Sequence, residues 1–144
     1  MRLQHCGLVV SELEPSRRFY GGVLGLEEVP RPANFAFGGA WFSLEGTEIH
    51  LISEADTTGR AGQPSPGPSI AGGLVTHLAL EVDDLPAWVE RLAARGIAPA
   101  AGPMPRGDGF DQLFVLDPDR YVIELFERTS EDQTDAPARE PIRA

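Results

Sequence analysis

The sequence predicts an α+β fold made of two tandem βαβββ modules. Both halves of the 144-residue chain show the same order of apolar β-type runs around one amphipathic helix. The halves are separated by residues 54–73, which are rich in Gly, Pro, Ser and Thr. A shift of 72 residues places His5 on His77, and a shift of 74 places His50 on Glu124. Such self-similarity indicates a duplicated structural unit.

The first module, residues 1–53, is expected to begin with a strand and a short helix. Ser11 or Glu14 is a candidate helix cap, and the glycines at 21, 22 and 25 are expected to weaken and end the helix. Glu45-Gly46 is expected to form a hairpin turn. The predicted elements are a strand over 2–10, a helix over 14–22, a short extended piece over 26–30, and strands over 35–44 and 47–53.

The second module, residues 74–128, repeats this order. Asp84 is a candidate helix cap, and Gly96 is expected to close the helix. The predicted elements are a strand over 74–82, a helix over 84–95, a short strand over 97–100, a loop over 101–109, and strands over 110–116 and 121–126.

Two segments have too few large apolar residues to join a core. Residues 54–73 are predicted to be a linker or mobile loop between the modules. Residues 129–144 are polar and contain proline, which is typical of a disordered tail. Residues 1–128 are therefore predicted to form a single domain.

The composition restricts the classes of partner. The formal net charge of −10 disfavours nucleic acid and anionic membrane surfaces, because like charges repel. No apolar run approaches the ~20 residues that a membrane helix needs, and no signal peptide is indicated. The single cysteine, Cys6, permits no internal disulfide. We expect a cytoplasmic protein that binds a small molecule.

Four side chains that can bind metals lie within apolar strands: His5, His50, His77 and Glu124. A single histidine in a strand is more often an ordinary hydrogen-bonded residue than a ligand. A carboxylate among Ile, Val, Leu and Phe is harder to dismiss, because burying it unpaired is costly. All four occupy repeat-equivalent positions, which favours one shared metal site.

A set of short motifs points to a known family. They are His5 within Leu-Gln-His-Cys-Gly-Leu-Val-Val, Phe19-Tyr20 followed by Leu24-Gly25-Leu26, Glu48-Ile49-His50-Leu51, the run from His77 to Asp84, and the run from Phe114 to Asp119 ahead of Val122-Ile123-Glu124-Leu125. In order and spacing, residues 2–127 resemble the vicinal oxygen chelate superfamily, also called the glyoxalase/bleomycin-resistance/extradiol dioxygenase superfamily. The resemblance implies a curved mixed sheet around a central cavity, often in a homodimer. It also implies a divalent metal at positions that match His5, His50, His77 and Glu124.

Three imidazoles and one carboxylate suit Zn²⁺, Fe²⁺, Ni²⁺, Co²⁺ or Mn²⁺ better than Ca²⁺ or Mg²⁺. Four protein ligands on an octahedral ion leave two adjacent positions for neighbouring substrate oxygens, which the ion polarises as a Lewis acid. If His50 does not ligate, it is a candidate base. His5, His77 and Glu124 then form the two-histidine, one-carboxylate triad that suits iron(II) and dioxygen.

The leading functional hypothesis is a metal-dependent lyase or isomerase that acts on a small molecule with vicinal oxygens. The alternatives are an iron(II)-dependent dioxygenase, a thiol transferase conferring fosfomycin resistance, and a non-enzymatic antibiotic-binding resistance protein. Members with glyoxalase I activity typically carry a carboxylate, which doubles as the catalytic base, at the position of His50. His50 is therefore the most informative departure from the family pattern.

Other polar and aromatic residues have two interpretations each. Arg106, Asp108 and Asp111 could line the mouth of a pocket but are expected to be solvated loop charges. Trp41 and Phe42 could line an apolar pocket but are expected to belong to the core.

Overall fold

The computed structural model describes residues 1–62 and 76–129. Each module contributes one four-stranded mixed sheet, so the predicted α+β class with two tandem modules is confirmed. The first sheet has the order β1-β4-β3-β2 and contains β1 (His5–Val10), β2 (Glu27–Val29), β3 (Gly39–Leu44) and β4 (Thr47–Ser53). The second has the order β5-β8-β7-β6 and contains β5 (His77–Glu81), β6 (Ala101–Pro105), β7 (Phe110–Leu116) and β8 (Val122–Arg128).

Two helical segments accompany the sheets. The first comprises α1 (Leu13–Arg17), which continues as a π-helical segment over Arg18–Val23. The second is α2 (Leu85–Ala93). None of the helices in the described part of the chain is long and apolar enough to cross a membrane.

The first and last strands of each module are parallel neighbours. This pairing brings repeat-equivalent positions side by side, with Gly7 opposite His50 and Ala79 opposite Glu124. Because successive residues of a strand point to opposite faces, Ile49 and Leu51 enter the core while His50 points to the other face of β4.

The described residues form two compact units, and the turn between β7 and β8 belongs to the first. One unit comprises Leu116–Tyr121 with the described part of Arg2–Gly67. The other comprises the described parts of Pro68–Val115 and Val122–Ala144.

Asp117 organises the β7–β8 turn. Its Oδ1 accepts hydrogen bonds from the backbone N–H groups of Asp119 (3.0 Å) and Tyr121 (2.8 Å). Its Oδ2 accepts one from the Tyr20 hydroxyl at 2.9 Å, and both side chains are buried. Arg120 has a φ of 70°, so this turn uses a left-handed conformation at a non-glycine residue. These bonds fasten the turn to the π-helical segment that carries Tyr20.

The N-terminal helix differs from its prediction. Its N-cap is Glu12, which makes no side-chain cap hydrogen bond. Neither Ser11 nor Glu14 caps it; Ser11 instead donates from its backbone N and its Oγ to Asp119, at 3.1 and 2.5 Å. The predicted end is close to the observed one: helical structure passes through the glycines at 21 and 22, ends at Val23 and stops ahead of Gly25, whose φ is 79°.

The third strand begins later than predicted, at Gly39 instead of residue 35. The Arg31 side chain binds the segment before it, donating to the carbonyl oxygens of Phe35 and Phe37. Its guanidinium also lies over both rings. These local contacts hold the segment outside the ladder.

The sixth strand lies later in the chain than predicted. Residues 97–100 form no strand, and Ala101–Pro105 do, although this stretch was predicted to be a loop. Prolines at 103 and 105 suggested a loop because they cannot donate to a ladder. They are tolerated here because β6 lies at the edge of its sheet.

The predicted linker is structured at its start. Glu54–Asp56 form a 3₁₀ turn, and Asp56 accepts a hydrogen bond from the Gly38 backbone N–H at 2.7 Å. The rest of the predicted linker from residue 63, and the predicted tail from residue 130, lie outside the described residues.

Burial raises the pKa of the Asp117 carboxyl above its usual value, although hydrogen bonds from Tyr121 and Tyr20 act in the opposite direction. The folded protein therefore holds this proton more tightly than the unfolded chain, and ionisation of Asp117 reduces stability as pH rises above about 4. We expect Asp117→Asn, which mimics the neutral form, to gain stability relative to wild type between about pH 4 and 7. Urea unfolding across this pH range measures the difference.

Asp108→Asn is the control: Arg106 lowers the pKa of that exposed carboxyl, so its stability difference from wild type changes below about pH 4 and stays nearly constant across this range. A constant difference between Asp117→Asn and wild type across the range would contradict the prediction.

Candidate functional site

The first pair of candidate ligands is His5 and His50. His5 opens β1 and His50 lies in the middle of β4. The two imidazole rings are stacked, with centroids 4.2 Å apart and planes 11° from parallel. His50 also stacks on Trp41, its partner in β3, at 4.0 Å and 4°. These flat contacts restrict the orientation of the His50 ring.

Hydrogen bonds assign opposite tautomers to these two rings. His50 Nε2 lies 2.6 Å from Glu48 Oε2, and His5 Nδ1 contacts the side-chain oxygen of Gln4. Both acceptors are oxygens, so the contacting ring nitrogen carries the proton. The lone pair is then on Nδ1 of His50 and on Nε2 of His5. Histidines that bind metals commonly donate their other N–H to an oxygen in this way.

A cavity of about 410 Å³ adjoins this pair. Its walls combine His5, Glu48 and His50 with the rings of Phe35, Phe37 and Trp41, and Gln4 and Ile52 complete the lining. This volume is within the usual range for a small-molecule pocket. Trp41 was predicted to be core; it instead lines the cavity and stacks on His50.

The second pair of candidate ligands is His77 and Glu124. They lie on the adjacent parallel strands β5 and β8, and His77 Nε2 is 2.9 Å from Glu124 Oε2. Glu124 is only 3% exposed, on a strand buried on both faces. Two ligands of one ion at about 2.0–2.2 Å each lie roughly 3 Å apart. The 2.9 Å spacing is that of a hydrogen bond in which His77 Nε2 donates to Glu124, and it also equals the separation of two ligands of one ion that would displace this proton.

Arg106 completes the surroundings of Glu124. Its Nη1 donates to Glu124 Oε1 at 3.2 Å, while its Nε and Nη2 donate to the two oxygens of Asp108 at 2.8 and 2.9 Å. The guanidinium also lies over the rings of Phe110 and Phe126. The expectation that Arg106 is merely a solvated loop charge is therefore wrong.

The sequence contains a signal for the role of Arg106, namely the two glycines that flank Asp108. In Arg106-Gly107-Asp108-Gly109-Phe110, both glycines have positive φ, 93° and 86°. The Arg106 N–H donates to the Phe110 carbonyl at 2.7 Å and closes the hairpin. A tight loop of this kind returns Asp108 to Arg106. The Arg106 guanidinium, mainly through side-chain hydrogen bonds, lowers the pKa of the Asp108 carboxyl.

The structure thus places the four sequence-predicted positions in two pairs, one in each unit. In residues 1–62 and 76–129, no three His, Cys, Asp or Glu side chains are grouped so as to hold a metal ion. The donor types, the tautomers and the spacing of the second pair fit a transition metal. One site that uses all four residues stays a prediction.

Comparison with known proteins identifies the family. The model of the Glyoxalase/Bleomycin resistance protein/Dioxygenase superfamily matches residues 2–125. The chain belongs to this superfamily.

Several similar proteins carry enzyme names. The chain is 33% identical over 142 residues to the lactoylglutathione lyase of Neisseria meningitidis serogroup A, covering 93% of this chain and 96% of that protein. It is 35% identical over 135 residues to the lactoylglutathione lyase of Salmonella typhimurium, covering 88% and 93%. These relatives support an enzyme of the glyoxalase superfamily.

Solved structures share the fold. A glyoxalase/dioxygenase from Nostoc punctiforme has a TM-score of 0.71 at 28% identity, covering 90% of this chain and 92% of that one. The fosfomycin resistance protein FosX of Listeria monocytogenes, crystallised with Mn(II) and a dihydroxypropylphosphonic acid, has a TM-score of 0.69 at 20% identity, covering 90% and 94%. At that identity, the likeness to FosX concerns the fold alone.

The hydrogen bonds of the first pair predict that His50 carries its proton on Nε2 and His5 on Nδ1. Long-range ¹H–¹⁵N spectra recorded at alkaline pH distinguish the tautomers. Replacing Glu48 by Ala should mix the tautomers of His50 and leave those of His5 unchanged. Identical tautomers for both histidines in the wild-type protein would contradict this assignment.

Proposed function

We propose that this chain is a metal-dependent enzyme of the glyoxalase superfamily with lyase or isomerase activity on a small molecule with vicinal oxygens. The observation that carries this proposal is the His77–Glu124 pair. This carboxylate is 3% exposed within an apolar strand, where its burial must be offset by His77 and Arg106, and a functional role accounts for an acidic residue at this position.

The donor set determines the chemistry we propose. His5, His50, His77 and Glu124 would hold Zn²⁺, Fe²⁺, Ni²⁺, Co²⁺ or Mn²⁺. A bound ion would supply Lewis-acid polarisation of the substrate's oxygens. Gln4 and Glu48 would fix the ring orientations of the two histidines that they contact.

The cavity beside His5 and His50 supports a small substrate. Its aromatic wall offers apolar contact and excludes water from one side of the site. Relatives named lactoylglutathione lyase make lactoylglutathione the first substrate to test. Glu48 offers a carboxylate at this end of the cavity, so His50 in place of the usual family carboxylate does not leave the site without one.

Lyase chemistry is favoured over the alternatives by the names of these relatives and by the presence of all four candidate ligands. An antibiotic-binding protein does not need these four ligands. The relatives named above support a lyase and give no support to the iron(II)-dependent dioxygenase.

We predict that protein treated with a chelator loses its turnover of lactoylglutathione and regains it when Co²⁺, Ni²⁺ or Zn²⁺ is added. Glu124→Ala and His77→Ala should reduce the rate at least about tenfold under the same metal load, because each removes one proposed ligand. Glu81→Gln is the matched control, since Glu81 is an exposed carboxylate on the same strand as His77. The reaction is followed in its favourable direction, as the gain in thioester absorbance when lactoylglutathione forms from glutathione and the corresponding 2-oxoaldehyde.

An unchanged rate in the chelated protein would contradict metal dependence. If the iron(II) form instead consumed dioxygen with a catechol, the dioxygenase alternative would replace the lyase.

We also propose that the protein is a homodimer, as members of the family commonly are. Sedimentation velocity at micromolar concentration is expected to give twice the chain mass of 15.5 kDa. A single species at the chain mass would remove this proposal.

A further inference from the structure

We propose that Arg106 is a positioning residue of the candidate metal centre, and that it holds one oxygen of Glu124 so that only the other oxygen is offered to a metal ion. This role presupposes the metal site proposed above. It adds a residue that the family's ligand positions do not include.

The two oxygens of Glu124 have different partners. Oε1 accepts from Arg106 Nη1 at 3.2 Å, and Oε2 lies 2.9 Å from His77 Nε2. Glu124 is almost fully buried, so little solvent competes for either oxygen. The carboxylate plane is thus set by two groups on opposite sides, and Oε2 is the oxygen turned to the neighbouring candidate ligand.

Arg106 is itself held firmly. Its fork grips both oxygens of Asp108 at 2.8 and 2.9 Å, a bidentate geometry that fixes the guanidinium plane. The guanidinium carbon lies 4.4 Å from the Phe110 ring centroid and 4.8 Å from that of Phe126. Packing and hydrogen bonds together leave Nη1 directed at Glu124, unlike a surface arginine that samples many rotamers.

The backbone supports the same arrangement. The hairpin hydrogen bond from Arg106 N to the Phe110 carbonyl fixes where the side chain starts. Gly107 and Gly109 supply the positive φ values that return Asp108 to the guanidinium. The loop therefore presents Arg106 to Glu124 as part of the fold.

The charges are compatible with a nearby cation. The carboxylates of Glu124 and Asp108 balance the guanidiniums of Arg106 and Arg128, whose charge also acts on Asp108. Asp108 therefore offsets most of the repulsion that Arg106 would exert on a metal ion.

The consequence is a carboxylate that binds through one oxygen. A carboxylate free to rotate can occupy two coordination positions of the same ion. With Oε1 retained by Arg106, Glu124 would occupy one position and leave the other for a substrate oxygen. Residues that support metal ligands in this way typically contribute about 10- to 100-fold to metal affinity.

Cobalt(II) titration of the full-length metal-free protein tests this role, because its visible absorption reports both affinity and coordination number. We expect Arg106→Gln to weaken cobalt binding by about 10-fold or more and to change the intensity of the visible bands. Asp108→Asn, at an exposed position, should give a smaller change in the same direction by loosening the fork. Arg106→Lys keeps the charge but loses the planar fork, so its spectrum should resemble that of Arg106→Gln.

Arg128→Gln is the matched control. The Arg128 guanidinium lies over the same Phe110 ring at 4.6 Å, but within the described residues Glu124 is bound by Arg106 and His77 instead, so wild-type binding and spectrum are expected. Circular dichroism and thermal melting confirm that each variant is folded. If Arg106→Gln or Arg106→Lys matched wild type in affinity and spectrum, the positioning role would be overturned, and the proposed metal site would be unaffected. If the wild-type protein bound no cobalt, the metal-dependent function itself would fail.

Discussion

The burial of Glu124 is the constraint on which the candidate site depends. A carboxylate in a strand closed on both faces must be paired, because an isolated buried charge is very costly. The second unit meets this requirement with His77 on one side and Arg106 on the other. The same two contacts fix which oxygen of Glu124 points to which neighbour. The pairing that makes its burial possible therefore also sets the geometry of the site.

The candidate ligands lie in pairs for a simple reason. Side chains alternate between the two faces of a strand, and the module is repeated, so equivalent residues of the two modules lie on equivalent faces. The parallel pairing of β1 with β4 and of β5 with β8 then brings His5 beside His50 and His77 beside Glu124. Alternation also predicted that Glu48 shares a face with His50, and the structure joins them at 2.6 Å.

The sequence failed where a residue's role depends on a partner far along the chain. Tyr20 donates its hydroxyl hydrogen bond to Asp117, which lies 97 positions away in the chain. Helical periodicity does not predict such a contact. Arg106 looked like a loop charge because its partner Glu124 belongs to another strand. The β6 strand was missed because prolines exclude a central strand but not an edge strand, and position in the sheet is a tertiary property.

The most direct test of the account is the position of a bound metal. A crystal of the cobalt-loaded protein, measured at wavelengths on both sides of the cobalt absorption edge, gives an anomalous peak for each bound ion. We expect a peak at about 2.0–2.2 Å from Glu124 Oε2 and His77 Nε2. His5 Nε2 and His50 Nδ1, from the same or a partner chain, are expected to complete its coordination sphere. A peak that leaves out Glu124, or one bound through both of its oxygens, would contradict it.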